Sequence, residues 1–125
     1  MAETVLVCVT GQQSSQRLIH RGAQLAGELN AQLLVLSVSG SGFNLLSDPQ
    51  VSQALNDLYR LSGQVGAEMT MLHDPDALHA IRHFARSRGV THLVLGEGRT
   101  GENTFISSLM RALPQVIFTL EPAAL

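Results

Sequence analysis

The chain contains no lysine: all eight of its basic residues are arginine. A Walker-type phosphate loop needs a lysine that reaches the terminal phosphates, so that class of nucleotide hydrolase is excluded. Any phosphate contact falls to arginine, hydroxyls or backbone N–H groups. There is one cysteine, Cys8, which excludes an internal disulfide and fits a reducing compartment. Cys8 lies in an apolar segment and reads as a buried, inert thiol rather than a nucleophile. No apolar run approaches the ~20 residues of a membrane span. The basic region that opens a signal peptide is also missing, so the expected location is cytoplasmic, without membrane contact. The net charge of -2 argues against a nucleic-acid binder, which would show a basic face.

What is present is a chain of 125 residues, 45% hydrophobic, long enough for one domain over residues 1–125 with its own core. Residues 4–10 (TVLVCVT) are β-branched and apolar without alternation, the pattern of a strand covered on both faces. Gly11 ends it and Ser14 is placed to cap a helix. Leu18, Ile19, Gly22, Leu25, Ala26 and Leu29 form that helix's apolar face; Arg17, Arg21, Gln24 and Glu28 form its polar one. Residues 32–38 (QLLVLSV) read as a second strand. Asp48 or Pro49 opens a second helix with Val51, Leu55, Leu58 and Leu61 as its stripe and Gly66 at its end. Residues 67–72 read as a third strand, near the sheet edge. Asp74 as cap and Pro75 at the first helical position open a third helix. Leu78, Ile81, Phe84 and Ala85 face inward there, and His79, Arg82, His83 and Arg86 face out. Residues 91–95 form a fourth strand, 103–112 a short helix stopped by Pro114, and 115–120 a fifth strand. This alternation predicts an α/β domain of three layers, a five-stranded parallel sheet with helices on both faces. Ligands in such sheets sit at the carboxyl ends of strands, where the strand order reverses.

Residues 92–101 (HLVLGEGRTG) carry the strongest functional signal. An apolar strand runs into three glycines and then a helix, an arrangement in which backbone N–H groups and a helix dipole hold an anion. Arg99, between glycines, can grip phosphate bidentately. Ser107 and Ser108 offer hydroxyls, and Thr10, Gly11 and Gln12 would line the opposite wall. Gly96, Gly98 and Gly101 also spell a dinucleotide fingerprint with Glu121 beyond, but on the fourth βα unit instead of the first, which argues against NAD. His79 and His83, four apart on a helix, have the spacing of a metal pair; without a third ligand at helical spacing they read as a solvated face or a partner surface, and no metal is expected. Serine, histidine and aspartate occur, but no motif joins them into a catalytic set, so the chain is not expected to be an enzyme.

Two segments, VLVCVTGQQSSQRLIHRGAQLAGELNAQLLVLSV and VGAEMTMLHDPDALHAIRHFARSRGVTHLVLG, resemble the universal stress protein (Usp) domain family. They look most like its variant within the potassium-responsive sensor histidine kinases of the KdpD type. The resemblance implies a Rossmann-like, adenine-nucleotide-binding fold with strand order 3-2-1-4-5. It also implies a regulatory role in stress or potassium signalling, a histidine kinase or other signalling protein as partner, and a homodimer through the last strand (Val116, Phe118, Leu120). ATP, AMP or another nucleotide is the implied ligand, at Thr10, Gly11, Gln12, Val38, Gly96, Gly98, Arg99, Ser107 and Ser108. Thr10 stands where ATP-binding members carry aspartate. In their Gly-two-Gly-nine-Gly-Ser/Thr loop, Gly96 matches the first glycine, Arg99 replaces the second, and Ser107-Ser108 fall at the close. The aromatic residues with which some KdpD domains hold cyclic di-AMP are missing, so that ligand is not expected by that mode. A ligand-free dimerisation or protein-interaction module is the alternative, and a slow nucleotide hydrolase is a third reading.

Overall fold

Five parallel strands form one sheet in the order β3-β2-β1-β4-β5 in a computed structural model that describes residues 3–9, 14–39, 49–96 and 102–121. The strands are β1 (Thr4–Val9), β2 (Gln32–Ser39), β3 (Glu68–His73), β4 (His92–Gly96) and β5 (Ile117–Glu121). Helices α1 (Ser14–Leu29), α2 (Pro49–Gln64), α3 (Ala77–Ser87) and α4 (Glu102–Ala112) alternate with them. The expected α/β architecture and strand order are therefore those observed. β1 is central, pairing with β2 on one side and β4 on the other. Its continuous apolar run follows from that place, because both of its faces are covered.

Alternate β1 residues feed two cores. Val5, Val7 and Val9 join Leu18, Ile19 and Ala26 of α1 and Leu58 of α2. Leu6, with Cys8 packed beside it, joins Ile81, Phe84 and Ala85 of α3 and Ile106 and Leu109 of α4. The layers are thus α1 and α2 on one face and α3 and α4 on the other. Gly22 brings α1 against the sheet: a Cβ there would collide with Val7 Cγ2 and stand 3.4 Å from Leu33 Cδ1.

Three helices stop in the same way. Asn30 (φ 54°), Gly66 (φ 77°) and Gly89 (φ 65°) take the left-handed conformation. The next amide then bonds back across the turn, Ala31 to Ala26 and Ala67 to Ser62 at 2.8 Å and Val90 to Ala85 at 3.0 Å. The start of α3 differs from expectation. Its cap is Asp76, whose carboxylate accepts the His79 amide at 3.0 Å, while Asp74 accepts the Asp76 amide at 2.8 Å. Asp74 therefore builds the turn before the helix, and Pro75 sits inside that turn. The start of β5 is also later than residue 115. The Val116 amide still closes the α4 turn on Leu113 O, and the Ile117 amide is the one that reaches Thr91 O, at 3.0 Å.

β5 is an edge strand, as a pairing role requires. Val116, Phe118 and Leu120 are half-buried against the α3/α4 core, and the exposed apolar residue is Ile117, at 60%. The reason is the two-residue period of a strand, which turns Phe118 and Leu120 to the covered face. Among the described residues no helix is long and apolar enough to cross a membrane.

Candidate functional site

The carboxyl ends of the strands are Val9, Ser39, His73, Gly96 and Glu121. The order reverses between β1 and β4: from β1 the chain first builds outward through β2 to β3, then returns to β4 on the other flank. The register Val7↔Val94 puts Val9 and Gly96, each two residues further on, at the same end of neighbouring strands. Two connections that diverge to opposite faces leave a crevice at such a point. The segments continuing from these strand ends are residues 10–13 and 97–101.

Gly96 ends β4 half-buried on the α1 side of the sheet, where a Cβ would lie 3.5 and 3.8 Å from the two methyls of Leu18. That is ordinary contact, so packing does not demand glycine there. Val38 is half-buried near the end of β2, packed against the α3/α4 core. Ser107 is exposed and Ser108 half-buried on α4, which begins at Glu102. They lie about 7–9 Å along the helix from its start at 1.5 Å per residue, beyond the first turn where free N–H groups gather. Thr10, Gly11, Gln12, Gly98 and Arg99 lie outside the described residues.

Electrostatics at this end are set partly by a contact that no motif announces. Arg21 Nε of α1 donates to Glu121 Oε1 of β5 at 3.0 Å. Glu121 is the acid that a dinucleotide fingerprint would reserve for a ribose; here a guanidinium holds it, and its charge is compensated. Sequence gave no signal for this pair, whose members stand 100 residues apart. His73 ends β3, with β2 and β1 between it and the reversal point, so it stands away from the crevice. Cys8 is a free thiol in the α3/α4 core, and burial pushes its pKa up to about 12. It stays protonated at neutral pH and supplies no nucleophile. Among the described residues no three His, Cys, Asp or Glu side chains are grouped to hold a metal ion.

Comparison with known proteins agrees with this geometry. The universal stress protein family matches residues 1–113. Sensor protein KdpD of Mycobacterium tuberculosis (strain ATCC 25618 / H37Rv) is 34% identical over 98 residues, 78% of this chain but 11% of that protein. The chain thus spans about a tenth of the length of that curated relative. Among solved structures, a universal stress protein in complex with cAMP superposes with a TM-score of 0.68, 18% identity and 98% of each chain covered. The universal stress protein from Archaeoglobus fulgidus in complex with dAMP gives 0.61, 14% identity and coverage of 98% and 97%. At those identities the likeness is one of fold.

Proposed function

The chain belongs to the universal stress protein family, and from that membership we propose that it is a cytoplasmic regulatory module, not an enzyme, that binds an adenine nucleotide or another phosphate-bearing metabolite and passes that state to a signalling partner. The observation that carries the reading is the reversal of strand order between β1 and β4, which sets Val9 and Gly96 side by side. Thr10, Gly11 and Gln12 continue from one strand end, and Gly98 and Arg99 from the other. Arg99 is assigned to the phosphate, with Ser107 and Ser108 alongside it and Val38 toward the base. The fold-alike proteins solved with cAMP and dAMP support an adenine nucleotide, and the KdpD relatives support a kinase as the partner. Binding would act by population shift, the ligand favouring one state of the partner-facing surface.

The test is thermal stabilisation by ATP, AMP, cAMP, cyclic di-AMP, a UDP-sugar and NAD. A ligand at a hundred times its dissociation constant adds about 2.7 kcal/mol of stability. A selective shift by one nucleotide, weakened at least tenfold in Arg99→Ala, is the expected result; no shift from any of them overturns the reading. The edge position of β5 and its exposed Ile117 favour a second reading, a dimerisation module that needs no ligand. Sedimentation as a monomer at micromolar concentration would remove it.

A further inference from the structure

Among the described residues the outer face of α3 is cationic without a counter-charge, and we propose that it docks an acidic helical segment of a partner protein. His79, Arg82, His83 and Arg86 are all exposed. Their i, i+3, i+4 and i+7 spacing aligns them in one stripe. α3 contains no aspartate or glutamate. The acids before it, Asp74 and Asp76, accept the backbone amides of Asp76 and His79. The stripe also runs against the sign of the whole chain, which is -2.

Other arginines show what compensation looks like in this protein. Arg21 pairs with Glu121 at 3.0 Å. Arg88 pairs with Glu68 at 3.6 Å and lies over the Phe84 ring, 5.3 Å from its centre. Arg82 and Arg86, by contrast, have no ion pair and no hydrogen bond among the described residues. Cations four apart on a helix repel each other. The helix dipole accounts for Arg86, in the last turn, but not for Arg82, in the middle.

The same two guanidiniums argue against a metal between His79 and His83, whose rings stack with centres 6.2 Å apart. A divalent cation would enter an already positive field. The stripe is about 10 Å long at 1.5 Å per residue, the footprint of one helix. Carboxylates at i and i+4 on an opposing helix repeat the spacing of Arg82 and Arg86, and each can be held by a guanidinium fork. A duplex or a lipid surface would draw on positive charge spread over many elements, which a net charge of -2 disfavours. The proposal does not depend on the nucleotide reading.

The probe is a fluorescein-labelled, stapled helical peptide with glutamates at i, i+4 and i+7, followed by anisotropy with the intact chain in 50 mM salt. A peptide of identical composition with its glutamates dispersed around the helix is the control. Arg82→Ala/Arg86→Ala should weaken the aligned peptide at least tenfold. Removing two other exposed arginines, Arg60→Ala/Arg111→Ala, should change it less than twofold. Arg82→Lys/Arg86→Lys should keep most of the affinity, and all variants should melt at the native temperature. Equal loss in both alanine pairs, equal binding of the two peptides, or no binding would overturn the proposal. Tighter binding of duplex DNA or phosphatidylserine vesicles than of the peptide would overturn it too, by assigning the face to another partner.

Discussion

Gly22 and Gly96 are the same residue type with opposite tolerance. At Gly22 a methyl group would strike Val7 Cγ2, on a β-branched side chain that is fully buried and stiff about its first torsion. Gly22→Ala should destabilise by about 1–3 kcal/mol, the cost of overpacking a tight core, measured by urea unfolding. At Gly96 the added methyl would find Leu18 at ordinary contact distance. Gly96→Ala should leave stability unchanged or raise it by up to about 1 kcal/mol, because it restricts the unfolded chain. The apolar face of α1 was legible in the sequence, Gly22 included. Its role as the point of closest approach was not, since that depends on which side chain of β1 lies beneath it. Cys8 supplies a pH prediction. Its folded pKa is raised to about 12, so the folded chain retains a proton that the unfolded chain gives up from about pH 9. The stability tied to Cys8 is fully present below pH 9 and falls as pH climbs toward 12, at about 1.4 kcal/mol per unit. Cys8→Ala should remove that slope in unfolding titrations between pH 9 and 11.

The elements are held by contacts of two kinds, and only one kind leaves a local trace. Helix ends are local. Gly66 and Gly89 announced two of them, and Asn30 performs the same left-handed stop without the residue type that signals it most strongly. Sequence alone puts the α3 cap on Asp74, and the structure puts it on Asp76, because the cap is decided by which carboxylate reaches which amide. Asp76→Ala should therefore cost about 1 kcal/mol, and Asp74→Ala less, in thermal unfolding. The Arg21–Glu121 contact is of the other kind, joining α1 to the last strand across the sheet. Arg21 has the periodicity of a solvated position, and nothing near it in sequence says otherwise. Because this pair is half-exposed, a double-mutant cycle over Arg21→Ala and Glu121→Ala should give a coupling of about 0.5–1 kcal/mol.

At the scale of the whole molecule, the alternation of strands and helices was sufficient to read the parallel sheet. Strand order came from the family resemblance, since periodicity says which faces are buried but not which strand lies beside which. The candidate site is legible in a different sense. Its residues are named by motif, and the fold places Val38 near the end of β2 and Gly96 at the end of β4, on either side of β1, while setting Ser107 and Ser108 beyond the first turn of α4. The edge strand yields a prediction at this scale as well. If copies pair through β5, Ile117→Lys should convert a sedimenting dimer to a monomer with little change in melting temperature. Substitution of Phe118, which packs inward, should lower stability.

The central position of β1 bears on synthesis. The first strand made is the spine of the sheet, and its β4 flank must wait for residues 92–96. While the ribosome adds the intervening chain, β1, α1, β2, α2 and β3 can assemble with that flank of β1 bare. The waiting edge belongs to Val5, Leu6 and Val7, all 0% exposed in the finished molecule. A nascent chain stalled before β4 therefore presents an unpaired, apolar strand to its surroundings, which makes the half-made protein a natural client for chaperones.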